Sequence, residues 1–536
     1  MKIGHFAVAL LFLSSTLAAT AQAQTSTFIP KKGTLSEEKL KRWSHLDLEK
    51  DSVPGMSVDK AHEFLKGKKG VNVIVGILDS GVDIEHDDLK SVLWTNKKEI
   101  PNNGKDDDKN GYIDDVHGWN FLGDITKENL EYERIANDKS LASEEVYLAA
   151  KKRVDDKKAT SGQMVERMQK TTEALNKSEE LLIKTLGKPT FTKEEVAAIV
   201  SKDAEVIKSK AMMERMLSYG LPLPELKIEI QKQLDAALKA TSVVPEYVNY
   251  RKVLGDNPLD MNDKKYGNNS MWGPEKEGAM HGTHVAGIVA ASRNNNIGGD
   301  GVANNTQIMT IRAVPDGDEY DKDIALGIRY AVDNGAKVIN GSFGKDFSPQ
   351  KKWVYEALQY AAKKDVLFVH AAGNDAKNID VENNFPNDSD DKVTELASTT
   401  ITVGALNLTA DLTADFSNYG KINVDVFAPG AKIYATTPNN KFQYLQGTSM
   451  ASPNVAGVAA LIRSYYPKLS AVQVKQILMN SGTKLSTQVA VGGDEKNMQS
   501  FDKLSVSGGI VNAYNAVKMA DEMSKKTTII KKKVRS

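Results

Sequence analysis

The sequence predicts an α/β protein: a three-layer sandwich with helices on both faces of a mostly parallel sheet, carrying an inserted helical subdomain. Three observations predict it. Val71 to Leu78 is a nearly continuous apolar run, as expected of a strand buried on both faces. Further apolar runs alternate with helical stretches in the second half of the chain. Between these regions, residues 123–254 are charged and helical in pattern, and they interrupt the alternation.

From the N-terminus, Lys2 followed by the apolar Phe6 to Phe12 and then Ala21-Gln22-Ala23 reads as a secretory signal peptide over 1–23, with Gln24 the first mature residue. The apolar run is too short for a membrane anchor, and no later segment is apolar enough to span a bilayer. Residues 24–70 are polar and read as an arm wrapping the core. At 536 residues, 40% of them hydrophobic, the chain is long enough for two or three units. Lys and Arg (70) balance Asp and Glu (70), which argues against nucleic acid as a partner. There is no cysteine, so disulfides, thiolate zinc sites and a cysteine nucleophile are excluded. Bound calcium is the alternative staple for an exported protein.

Asp79 ends the first strand, at the carboxyl edge where open α/β sheets place their sites. Ile308 to Val314 reads as a strand followed by helix 322–335, and Lys337 to Gly341 as one followed by helix 350–363. Val366 to Ala371 and Thr400 to Leu406 are further strands. Within 123–254, Met168, Leu175 and Leu182 recur every seven residues, and Thr192 with Glu195 forms a capping box. Gly220, Pro222 and Pro224 break the pattern between helices. Two roles fit this segment: a lid or dimerisation arm beside a cleft, or a helical hairpin packed on the surface. Residues 518–536 end in Lys531, Lys532, Lys533 and Arg535 and read as a disordered basic tail.

Three motifs carry chemistry. Gly447-Thr448-Ser449-Met450-Ala451-Ser452-Pro453 precedes an apolar helix, Val455 to Tyr465, so Ser449 lies at a helix N-terminus with Pro453 in the first turn. His281-Gly282-Thr283-His284 and Asp79-Ser80-Gly81 supply a base and a carboxylate to orient it. The order Asp, His, Ser is that of subtilisin. The chain therefore resembles the subtilisin-like serine proteases, or subtilases, from about Val71 to Val517, with a large helical insertion between the acid and the base. The spacing of 202 positions from Asp79 to His281 far exceeds that of members without insertions.

The resemblance implies a subtilisin-like catalytic domain in two parts, 71–122 and 255–517. It implies Asp79, His281 and Ser449 as the triad and Asn374, in Ala371-Ala372-Gly373-Asn374, as oxyanion donor with the Ser449 amide. His284 reads as a buried structural histidine. Asn340-Gly341-Ser342-Phe343-Gly344 is similar to the family's substrate-pairing strand, so Ser342, Phe343, Gly344 and Gly373 are expected to bind substrate. Lys345 and Asn384 stand where glycines are common, and both narrow or polarise the pocket. Asp106-Asp107-Asp108-Lys109-Asn110-Gly111-Tyr112 has the oxygen spacing of an EF-hand-like loop without its closing Glu. Asp106, Asp108, Asn110, Tyr112 and Asp115 are the expected calcium ligands. A second loop, Asn294 to Gly299, resembles a family calcium loop with an extra residue. Calcium is expected to be structural; catalysis as assigned needs no metal.

The expected function is a secreted serine endopeptidase, extracellular or periplasmic, that cuts polypeptides through an acyl-enzyme. The alternative is a silent or exopeptidase-like protein whose insertion binds a partner or blocks the cleft. A dimer through the insertion is a further expectation. The stretch from Gln24 to Asp79 is too short for the family's usual inhibitory pro-domain, so the chain folds unaided or the insertion restrains the site.

Overall fold

β1 (Val73–Asp79) explains why its sequence runs apolar without alternating. Val75 and Ile77 enter one hydrophobic core, while Ile74 and Leu78 pack into another on the opposite face. Gly76 sits where a helix crosses: a Cβ there would lie 3.2 Å from Ala331 and 3.3 Å from Ile311. The structure is a computed structural model, and it describes residues 35–217, 222–242, 247–409 and 411–535. The predicted signal peptide and Gly220 lie outside the described residues.

The other strands are β2 (Gly118–Asn120), β3 (Thr306–Arg312), β4 (Val338–Gly341), β5 (Leu367–Ala371), β6 (Thr400–Leu406), β7 (Val426–Pro429), β8 (Ile433–Thr437), β9 (Lys441–Leu445), β10 (Thr483–Lys484), β11 (Gln488–Ala490), β12 (Met498–Ser500) and β13 (Gly509–Ile510). The main sheet has nine strands in the order β10-β13-β7-β6-β5-β4-β1-β3-β2. Its pairings are parallel except that of β10 with β13. The chain reverses its winding direction at β1, which lies between β3 and β4. Asp79 therefore stands at a topological switch point, where the carboxyl ends of the strands open a crevice.

In the N-terminal arm, α1 (Glu37–Lys41), α2 (Leu48–Asp51) and α3 (Val58–Leu65) lie on the first core. Trp43 anchors the arm, its Nε1 donating to the carbonyls of Ala431 and Lys432, each at 3.1 Å. Five helices follow between β2 and the histidine motif: α4 (Glu131–Asn137), α5 (Glu144–Leu186), α6 (Lys193–Ala197), α7 (Ala204–Leu217) and α8 (Leu223–Ser242). Then come α9 (Met280–Ala290), α10 (Asp321–Asp333), α11 (Lys351–Lys363), α12 (Thr448–Tyr465), α13 (Ala471–Asn480) and α14 (Ala513–Arg535). Residues of α9, α12, α13 and α14 fill one face of the sheet, and those of α10 and α11 the other.

The heptad stripe is used within its own segment. Leu175 and Leu182 are fully buried against Val196, Val206, Met213 and Met216. Met168 packs with Val165, Leu234 and Ala237. The stripe is therefore covered by neighbouring helices of the same chain and gives no support to a dimer. Thr192 and Glu195 form the expected capping box. The C-terminus differs from expectation: α14 runs unbroken to Arg535, with no irregular tail from 518. Ala513, Ala516, Val517 and Ala520 anchor its first turns in the core, and no Gly or Pro follows to end it.

Candidate active site

β1 delivers Asp79 and the N-terminal turn of α9 delivers His281. His281 Nδ1 donates to Asp79 Oδ1 at 2.7 Å. The same oxygen accepts the Ser80 amide at 2.7 Å, which fixes the buried carboxylate. The helix approaches this closely because residue 282 is glycine: a Cβ there would sit 2.1 Å from the Gly81 carbonyl oxygen. Burial pulls the imidazole pKa down, but the charge and hydrogen bond of Asp79 outweigh it, so His281 titrates above its ordinary value. His284 lies deeper, its Nε2 within 3.0 Å of Ile433 O and 3.1 Å of Gln443 O, and burial lowers it to about 4. It is a neutral tie between α9 and the β8–β9 hairpin.

Ser449 occupies the first turn of α12. Its hydroxyl donates to the Ser342 carbonyl at 3.2 Å. Among the described residues it makes no hydrogen bond to His281. Asn374 follows β5, and its Oδ1 accepts from Thr448 N (2.8 Å) and Thr448 Oγ1 (3.0 Å). With its oxygen so held, the amide nitrogen is left facing Gly447. A Cβ on Gly447 would be 3.5 Å from both Asn374 Nδ2 and Ser449 N. The glycine, at φ 149°, leaves open a small space that two N–H donors share.

The segment after β4 divides its groups. Ser342 Oγ donates to the Ser449 carbonyl (2.9 Å) and lies 2.8 Å from Ser452 Oγ. Its side chain therefore ties the segment to α12 and does not line the cleft. Phe343, Gly344 and Gly373 do line it, beside Ser449 and Asn374, in a cavity of about 560 Å³. The far wall is helical and comes from Leu130, Tyr132, Arg153, Lys157 and Thr160. Lys345 does not offer its charge to this cavity as expected. Its Nζ is buried, 2.6 Å from Glu131 Oε2 and 2.9 Å from Asp321 Oδ1. Glu131 also pairs with buried Arg134 at 2.6 Å. α4 is thus locked to the segment after β4 that carries Phe343 and Gly344.

The model of the Subtilase family matches residues 70–501. The chain belongs to the subtilase family. Relatives include the cell wall-associated protease of Bacillus subtilis (37% identical, covering 45% of this chain and 26% of that one). The thermophilic serine proteinase of Bacillus sp. strain AK1 is 39% identical (44% of this chain, 52% of the relative). Subtilisin DY of Bacillus licheniformis is 38% identical (40% of this chain, 75% of the relative). This subtilase thus spans about a quarter and about half of the length of the first two.

The acidic loop of this subtilase brings together three carboxylates that only partly coincide with the expected calcium ligands. Glu99, Asp106 and Asp108 place carboxylate oxygens within 4.8 Å of one another. Glu99 is only 6% exposed, yet its Oε2 has no hydrogen-bond partner among the described residues. Such an atom is costly unless a cation, a water or a proton meets it. Asp115 instead faces inward, bonded to Asn96 Nδ2 (2.9 Å), Asn110 Nδ2 (2.9 Å) and Tyr330 OH (2.6 Å). Burial raises it to about 6 despite these bonds. The Asn110 side-chain oxygen caps the Tyr112 amide at 2.8 Å, and the Tyr112 ring packs on Trp119, Phe121 and Tyr330. At the second loop, Asn295 Nδ2 donates to Asp88 Oδ1 at 2.6 Å, while the buried Asp88 Oδ2 is unpartnered. Glu99 and Asp88 lie outside the loops read from spacing, and each carries a buried oxygen with no hydrogen-bond partner among the described residues.

Proposed function

We propose that this subtilase is an exported serine endopeptidase that cuts extended polypeptides. The 2.7 Å contact of His281 with Asp79, beside the helix N-terminus bearing Ser449, carries the reading. Ser449 Oγ attacks the scissile carbonyl carbon while His281 Nε2 takes its proton. Asp79 holds the Nδ1–H tautomer and stabilises the imidazolium. Asn374 Nδ2 and Ser449 N receive the oxyanion. Collapse expels the amine with the proton from His281. Water then repeats the sequence on the acyl-enzyme and restores Ser449. Substrate lies along the Ser342–Gly344 backbone and is read chiefly through its main chain.

Calcium at Glu99, Asp106 and Asp108 would bridge three crowded carboxylates, offset two of their charges and fix the loop. Oxygen-only donors suit it. Of the residues expected from spacing, Asp106 and Asp108 stay in this set, and Asp115 serves as an inner support.

Unfolded casein given to the purified chain, beside Ser449→Ala and Asn374→Ala, tests the reading. Cleavage should vanish in the first. It should fall by about 10²–10³-fold in the second, a magnitude established on a subtilisin. Cleavage that survives Ser449→Ala would overturn the assignment. The helical wall of the cavity favours a second reading, terminal trimming, which internal cuts in a long peptide would rule out.

A further inference from the structure

We propose that Lys157, with Arg153 one turn earlier on α5, selects carboxylate-bearing side chains in the polypeptide bound at Ser449. The inference rests on the peptidase reading above and adds the chemistry that the cleft prefers. Residues four apart share one helix face, and both of these line the cavity that also contains Ser449 and Asn374.

The charge balance of this cavity decides the sign. Its carboxylates are already engaged. Asp346 lies 3.2 Å from Arg153 and 2.9 Å from Lys377. Asp156 is paired with Lys152 at 2.5 Å. Asp375 lies 3.6 Å from Lys377. Asp318 accepts the Glu131 amide at 2.7 Å, and burial favours its neutral form. Lys345, the third cation of the lining, is neutralised by Glu131 and Asp321.

Lys157 differs. Its Nζ donates to Tyr132 OH at 2.7 Å and lies 5.4 Å from that ring's centroid. Among the described residues it has no carboxylate within ion-pair reach. An ammonium has three donors, so it retains two for a ligand. The Tyr132 ring is buried beneath it against Phe347, which holds the ammonium in place. The Arg153–Asp346 pair is exposed, so Arg153 is free to share a second carboxylate at little cost. The lock between Lys345 and Glu131 keeps this wall in register with the substrate strand.

A fluorogenic peptide series with Glu, Gln or Lys scanned through the positions flanking the cut tests this. Wild type should prefer Glu to Lys at one position by about tenfold in kcat/KM, the order of one solvent-exposed charge contact turned from attraction to repulsion. Lys157→Glu should reverse that preference. Lys151→Glu, the same charge change off the cavity, should leave it unchanged. Binding of the same peptides to Ser449→Ala, followed by fluorescence anisotropy, separates this inference from the reading beneath it. Cleavage without a Glu preference, or with one that Lys157→Glu does not move, overturns the inference and leaves the peptidase standing. Glu-preferring binding without cleavage by wild type supports the inference and overturns the peptidase. Neither cleavage nor Glu-preferring binding overturns both.

Discussion

Two acidic clusters in this molecule differ in what neutralises them. Where α4 meets the substrate strand, Glu131 and Asp321 are matched by two buried cations of the chain, Lys345 and Arg134. The surplus acid there, Glu319, is pushed by burial to about 8 and stays protonated at neutral pH. In the loop cluster, Glu99, Asp106 and Asp108 crowd together, and among the described residues the cation paired with them is Lys98, which is 3.7 Å from Asp108 and largely exposed. The chain supplies its own counterions where the inserted helices join the catalytic face. In the loop the three carboxylates are not matched by buried cations among the described residues. Under the proposed calcium binding, stability is intrinsic in the first region and conditional in the second.

Breaking the first cluster gives the largest expected effect. Lys345→Met leaves buried Asp321 without its cation while Glu131 keeps Arg134, and the expected loss is about 3–5 kcal/mol in urea unfolding. A double variant, Lys345→Met with Asp321→Asn, removes both charges of that pair, leaves Glu131 with Arg134, and should recover much of that loss. A double variant no more stable than the single one would mean that the ion pair itself, and not an uncompensated charge, holds the junction.

Breaking the second cluster should cost less and depend on calcium. With calcium at a hundredfold excess over its dissociation constant, chelation should lower stability by about 2.7 kcal/mol. Glu99→Gln should abolish the thermal shift caused by chelation while leaving the Lys345 network intact. If Asp115→Asn removed the calcium response and Glu99→Gln did not, the ligand set expected from spacing would be the right one.

The legibility of these regions in the sequence follows from the range of their interactions. Asp79, His281, Asn374 and Ser449 were visible because each sits in a local string at the end of an apolar strand or the start of a helix. The strands β1, β3, β5 and β6 were visible because burial on both faces writes a continuous apolar run. β10 to β13 were not, because two- and three-residue strands carry no period. The lock joins Glu131 to Lys345 across 214 positions, and no local pattern marks such a pair. Lys345 is the instructive case: read alone it is a cation at the pocket, and only its buried partners remove it from the substrate. The C-terminal helix is hidden for the opposite reason. Its basic end reads as a tail, while most of its anchoring residues, Ala513, Ala516 and Val517, fall before the tail's start at 518 and only Ala520 lies within it.

The remaining expected effects lie in pH dependence, and they divide the buried groups again. Glu319 binds its proton more tightly folded than unfolded, so stability should fall as pH rises from the ordinary carboxyl range toward about 8. Glu319→Gln should flatten that fall. His281 is also raised, here by a charged partner. The stability it contributes is full below its unfolded value near 6.5 and is lost as pH rises through the folded value. Activity runs the other way, because only the neutral imidazole can accept the Ser449 proton. The acid limb of kcat/KM should therefore have its midpoint above 6.5. In Asp79→Asn the opposing charge is gone and burial acts alone, so the midpoint of the residual activity should move below that of wild type. A midpoint that stayed in place would mean that Asp79 orients the ring without setting its proton affinity.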